Sequence, residues 1–245
     1  EAITDVEDKM AKIVNETIEK GGKIIIPSFS LGRTQEIVYT LHKLFDDKRI
    51  PENLPIIVDS PLSGNLTEVF KSHPEDFDKE THDEFINNGE NPFGFGRLRY
   101  TKSVEESKAL NNSNMPMIII SASGMCEHGR ILHHLRNNIE DPATTILVVG
   151  YMARNTLGRK IIEKQPEVNI FGEPYKLRAR VEVIDAFSGH ADRSDLIDYI
   201  TKIDDLKQVF LVHGEETQAE MLKTFLDENG VKNVTIPSTR DSFIL

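Results

Sequence analysis

Short, continuous runs of apolar and largely β-branched residues alternate along this chain with segments whose apolar positions recur every three or four residues. The runs Lys23–Pro27, Ile56–Val58, Met117–Ile120 and Ile146–Val149 read as strands buried on both faces. Each passes through a polar loop into an amphipathic helix. An opening helix is expected over Val6–Lys20, with Met10, Ile13, Val14 and Ile18 on one face and Gly21-Gly22 ending it. Further helices are expected up to about Phe45, after Asp59-Ser60-Pro61-Leu62, over Ser103–Leu110, around Ile131, Leu132 and Leu135, and near Leu157–Lys164. Residues His73–Gly96 are polar and read as a surface excursion, and Leu98–Tyr100 as a further strand. Strand followed by helix, repeated, is the pattern of an α/β fold with a mostly parallel sheet.

From Val168 the pattern changes to alternation, with Gly172-Glu173-Pro174 expected as a turn between antiparallel strands Val168–Phe171 and Leu177–Ile184. A domain boundary is expected near Gln165-Pro166, dividing the chain into 1–165 and 166–245. The stretch Val181–Glu216 then reads as a strand, a turn carrying His190, a helix and a second strand. Asp192 or Ser194 can cap the helix, whose apolar face holds Leu196, Ile197, Tyr199 and Ile200. The second strand, Val209–Val212, runs into His213-Gly214-Glu215. Two histidines are therefore expected at neighbouring strand exits, where open α/β sheets gather their chemistry. Val234–Pro237 and Phe243–Leu245 read as closing strands.

Composition narrows the function classes. No apolar run approaches the roughly 20 residues of a membrane span, and the acidic N-terminus has no signal-peptide hydrophobic region. A single cysteine, Cys126, excludes an internal disulfide and a thiolate metal cage, so a cytoplasmic protein is expected. The net charge of -11 argues against coating nucleic acid by bulk electrostatics. Locally the balance differs: between Met117 and Lys160 five basic residues face three acidic ones, enough for one face to hold a phosphate chain.

Candidate chemistry gathers at the strand exits. PSFSLGR, VDSPLSG, SASGMCEHGR and GYMARNTLGR each lead from a strand into a helix through small or polar residues, three of them with an arginine. Free backbone N–H groups at such junctions suit phosphate. Neither GxxxxGK[ST] nor GxGxxG is present, which excludes the common nucleotide loops. His213 could ligate zinc beside Glu215, yet no HxH, HExxH or CxxC pair accompanies it. His133 and His134 are adjacent on a helix and point to different faces. His42, His73 and His82 are expected at the solvated surface. Either His213 binds no metal, or its partner ligands lie outside this sequence.

Taken together these residues resemble the β-CASP branch of the metallo-β-lactamase-fold nucleases. GGKIIIPSFSLGRTQE, LPIIVDSPLS, IIISASGMCEHGR, ILVVGYMARNTLGR, FSGHADRSDL and VFLVHGEE occur in that family's order and span nearly the whole chain. The resemblance implies a layered β-CASP domain with a mostly parallel sheet, followed by the C-terminal part of a lactamase-type αββα sandwich. It implies that His190 lies against the scissile phosphate as proton donor or charge stabiliser. His213 becomes a zinc ligand, and a histidine there favours RNA, because DNA-repair relatives carry valine. Arg33, Ser123 and Gly124 match loops facing the substrate groove, and Arg130 and Arg159 in the neighbouring junctions join them as substrate-binding candidates.

Two Zn2+ ions are implied for the complete protein. Their HxHxDH motif, later ligands and motif A carboxylate would precede Glu1. The chain is accordingly expected to be the C-terminal part of a larger zinc-dependent ribonuclease, inactive by itself. RNA is the expected partner, a homodimer is compatible with the reading, and no membrane is involved. Two alternatives stay open: a non-catalytic RNA-binding or scaffold member of the family, and a DNA-directed nuclease.

Overall fold

The computed structural model describes residues 3–185 and 191–243. Strands β1 (Ile24–Pro27), β2 (Ile56–Val58), β3 (Leu98–Tyr100), β4 (Ile118–Ser121) and β5 (Thr145–Val148) follow one another through helical crossovers. β6 (Glu167–Ile170) and β7 (Glu173–Lys176) form a separate ribbon, and β8 (Arg180–Val183) returns to the main sheet. Its order is β3-β2-β4-β1-β5-β8, and every neighbouring pair is parallel.

Successive side chains of a strand point to opposite faces, and here both faces are covered. Ile24 and Ile26 pack against α1 (Ile3–Glu19) and α2 (Arg33–Asp46) through Met10, Ile13, Val14, Ile37 and Leu41. Ile25, Ile119 and Ile146 face the opposite core, closed by α6 (Arg130–Asn138) and α7 (Leu157–Ile162) through Ile131, Leu135, Leu157 and Ile161. Burial on both sides explains why these strands read as unbroken apolar runs. Between them lie α3 (Pro61–Ser72), α4 (Lys79–Glu84) and α5 (Val104–Asn112). Ser60 caps α3, its Oγ accepting from the Ser63 N–H at 3.2 Å, and Pro61 occupies the first turn.

The excursion at 73–96 is more than a solvated loop. Phe85, Phe93 and Phe95 are buried: Phe85 and Phe95 pack against rings of α2, and Phe93 against Phe70 of α3. His42, expected at the surface, is 4% exposed: its ring stacks on Phe95 at 4.5 Å and Nδ1 lies 3.0 Å from the Pro92 carbonyl. His73 is exposed and His82 half-buried.

The ribbon register also differs from expectation. Ile170 pairs with Glu173, so the turn is Phe171-Gly172, both at positive φ, and Glu173-Pro174 belong to the strand. A two-residue turn of that handedness matches the strand twist, which a longer turn through Pro174 would not. Leu177 and the residues after it leave the ribbon, and β8 pairs with β5 instead.

By contacts the chain divides into two compact units, Glu1–Ser188 and Gly189–Leu245, and the pattern change near Gln165 coincides with the entry into the ribbon. The second unit comprises α8 (Arg193–Thr201), β9 (Val209–Phe210), α9 (Glu216–Glu228) and β10 (Val234–Thr235) around Leu226, Val231 and Val234. Asp192 caps α8 in a reciprocal box with Asp195. β9 pairs in parallel with β10 in a two-stranded sheet of the second unit. Phe243 lies in no strand; its ring packs on Phe210 at 4.6 Å. Among the described residues no helix is long and apolar enough to cross a membrane.

Candidate functional site

Because the six strands are parallel, their C-terminal ends share one edge. The four polar junctions leave β2, β4, β1 and β5, which are consecutive in the sheet, so they form an unbroken row. Side chains stitch the row together. Ser30 Oγ lies 3.3 Å from Ser60 Oγ, joining the junctions that leave β1 and β2. Arg33 reaches from the β1 exit toward Gly150 at the β5 exit, and also pairs with Glu36. Phe29, Leu31, Leu62 and Tyr151 stand exposed along the same edge.

Gly124 packs directly under the Phe29 ring. A Cβ there would lie 2.8 Å from the Phe29 ring, so glycine lets the β1 and β4 junctions close on each other. Ser123 is buried, and its Oγ accepts the Glu127 N–H at 3.1 Å and the His128 N–H at 3.4 Å. It shapes the loop leading to α6. Arg159 Nε donates to Glu163 one helical turn on, at 2.7 Å.

Beneath the row lies a buried ion cluster that the sequence did not announce. Asp59, at the end of β2, is fully buried. Its carboxylate accepts from His134 Nε2 at 2.6 Å, Ser107 Oγ at 2.5 Å, Arg130 Nη1 at 2.7 Å and Thr101 Oγ1. Burial alone would raise this carboxyl's pKa; the hydrogen bonds from His134, Ser107 and Thr101 outweigh it and hold the group well below the usual carboxylate range. Arg130, a substrate-binding candidate, is thus committed to Asp59 and to Thr101 at 3.1 Å. One signal could have found the cluster. Arg130 and His134 are four apart on α6, hence on one face, beside the core residues Ile131 and Leu135.

His190 lies outside the described residues. His213 follows β9 at φ 66° and is exposed. It lines a cavity of about 580 Å³ in the second unit whose other walls include Leu196, Ile200, Leu211 and Leu222. Arg33, Ser123, Gly124, Arg130 and Arg159 all belong to the first unit, and His213 to the second.

Residues 34–161, more than half of the chain, match the family model described as the Beta-Casp domain, and the chain belongs to that family. Residues 174–237 match a second model, described as a Zn-dependent metallo-hydrolase RNA specificity domain. Among individual proteins, the chain is 38% identical over 219 residues to ribonuclease TTHA0252 of Thermus thermophilus, covering 89% of this chain and 49% of that protein. It is 32% identical over 221 residues to transcription termination factor FttA of Methanosarcina mazei, covering 88% of this chain and 34% of the relative. FttA of Methanocaldococcus jannaschii is 31% identical over 220 residues, with 87% of this chain and 34% of the relative covered. The chain therefore spans between a third and a half of the length of these relatives.

Zinc is the ion named in the second description. A catalytic zinc site takes about three protein ligands. Among the described residues His213 belongs to no group of three histidine, cysteine or carboxylate side chains close enough to share an ion. His213 therefore has no complete zinc ligand set among the described residues.

Proposed function

We propose that the protein carrying this chain hydrolyses RNA phosphodiester bonds, and that the chain's part is to hold the phosphate backbone along the C-terminal edge of its parallel sheet. The observation that supports this most strongly is the unbroken row of four small-residue junctions in a β-CASP family member. Backbone N–H groups at helix starts attract phosphate without reading sequence, and exposed rings such as Phe29 and Tyr151 offer platforms for bases. Residues 1–165 are proposed as the β-CASP domain, and 166–245 as the closing part of a lactamase-type sandwich. Within that frame His190 supplies a proton to the leaving oxygen. His213 is proposed as the one zinc ligand this chain contributes, and its being histidine supports RNA over DNA. The cytoplasm is the proposed location, where the lone thiol of Cys126 stays reduced. The relatives named as transcription termination factors support a second setting for the same chemistry, cleavage coupled to the end of transcription.

The test is a cleavage assay of the full-length protein on matched RNA and single-stranded DNA. RNA should be cut and DNA spared, and His190→Ala should lower turnover by roughly 10²–10⁴-fold. Equal cleavage of both polymers contradicts the RNA reading. Near-normal turnover in the variant removes His190 from the reaction.

A further inference from the structure

Adjoining the row of strand exits at Gly129 and Arg130, a groove of about 610 Å³ runs between α5 and α6. Lys108, Arg130, His133 and Arg136 line it and no aspartate or glutamate does, in a chain whose net charge is -11. Arg130 is held by Asp59. Lys108 and Arg136 are exposed and form no ion pair with a carboxylate among the described residues. Burial lowers the His133 pKa, and the positive neighbours Arg136, His134 and Lys108 lower it further, as a cationic surface requires. Asn111 and Asn137 also line it, their amides hydrogen-bonded to Ser107, His134 and His133.

One end of the groove is closed by an aromatic ring that turn chemistry does not call for. Phe171 holds φ 54° in the two-residue ribbon turn, a region bulky residues avoid and asparagine tolerates. Its ring is 52% exposed, lies 4.8 Å from the His133 ring, and has the Arg136 guanidinium 5.7 Å from its centre. Cations without carboxylate partners beside an exposed, propped ring are the elements of a single-strand binding surface: charge for phosphates, a face for a base.

We propose that the α5–α6 groove is a second RNA track, leading away from the strand-exit row past Arg130, in which Lys108 and Arg136 neutralise two phosphates and one base stacks on Phe171. The proposal rests on the RNA reading given above. An acidic protein segment is the competing occupant; the exposed ring propped beside the cations favours RNA.

The experiment is anisotropy titration of a labelled single-stranded RNA against full-length protein in a His190→Ala background, which slows cleavage, at several salt concentrations. Lys108→Ala/Arg136→Ala should weaken binding about tenfold and flatten the slope of log affinity against log salt by about 1.4, the share of two phosphates on a single strand. Phe171→Asn should weaken binding roughly tenfold with the slope unchanged. That variant keeps the ribbon, because Asn-Gly is the preferred pair for such a turn. Wild-type affinity and slope in both variants would overturn the groove alone. A background protein that binds no RNA at all overturns the RNA reading, and the groove proposal with it. Variants that bind RNA normally but lose polyglutamate binding identify an acidic protein as the occupant, and that too overturns the proposal.

Discussion

Asp59 is a carboxylate with no access to water, surrounded by four donors from three separate stretches of the chain: Thr101 after β3, Ser107 on α5, and Arg130 and His134 on α6. Removing one partner of a buried ion cluster leaves the others uncompensated. Asp59→Ala should therefore destabilise the protein by about 3–5 kcal/mol, read from the denaturant midpoint at neutral pH. The pH dependence follows from the direction of its shift. In the unfolded chain this carboxyl takes a proton near its ordinary value of 3.8; in the folded chain it does so only at lower pH. The stabilisation is complete above that value and is lost as pH falls below it. Replacement by alanine should flatten the fall in stability below about pH 4. The cluster escaped the sequence reading because His134 meets Asp59 across 75 positions, and a His-His pair on a polar helix looks solvated. His42 misled in the same way: its burial depends on phenylalanines nearly 50 residues on, in a stretch whose average is polar.

At the scale of elements, the strands were legible because their physics is local. A strand covered on both faces must be apolar at every position, and β1 and β4 are buried throughout. Ile119→Ala, in the middle of the sheet, should lower stability by about 2–5 kcal/mol. Val69→Ala on the exposed side of α3 should change it by less than about 0.5 kcal/mol, so unfolding curves of the two variants compare core and surface directly. Register was not local. Gly172-Glu173-Pro174 looks like a turn by composition, yet strand pairing places Gly172 second in a tighter turn and extends Pro174 within a two-stranded ribbon. Pairing of β8 with β5 and of β9 with β10 is likewise a tertiary choice that neither strand's residues announce.

Across the whole molecule, charge and topology point in complementary directions. An acidic chain repels polyanions at long range, so the proposed RNA binding calls for placed groups rather than bulk field. Parallel topology supplies that placement by collecting four helix-entry loops at one edge. The junction motifs were readable one by one, and their alignment follows once the sheet is known to be parallel. What the pattern could not supply was the support below them, where Arg130 serves Asp59 and Ser123 holds its own loop.

The most direct test is to crosslink RNA containing 4-thiouridine to the full-length protein and map the modified peptides. Crosslinks should concentrate at 27–33, 59–63, 121–130 and 149–159, the four loops of the C-terminal edge. Crosslinks confined to the opposite edge, at 20–23 and 140–144, would contradict the account.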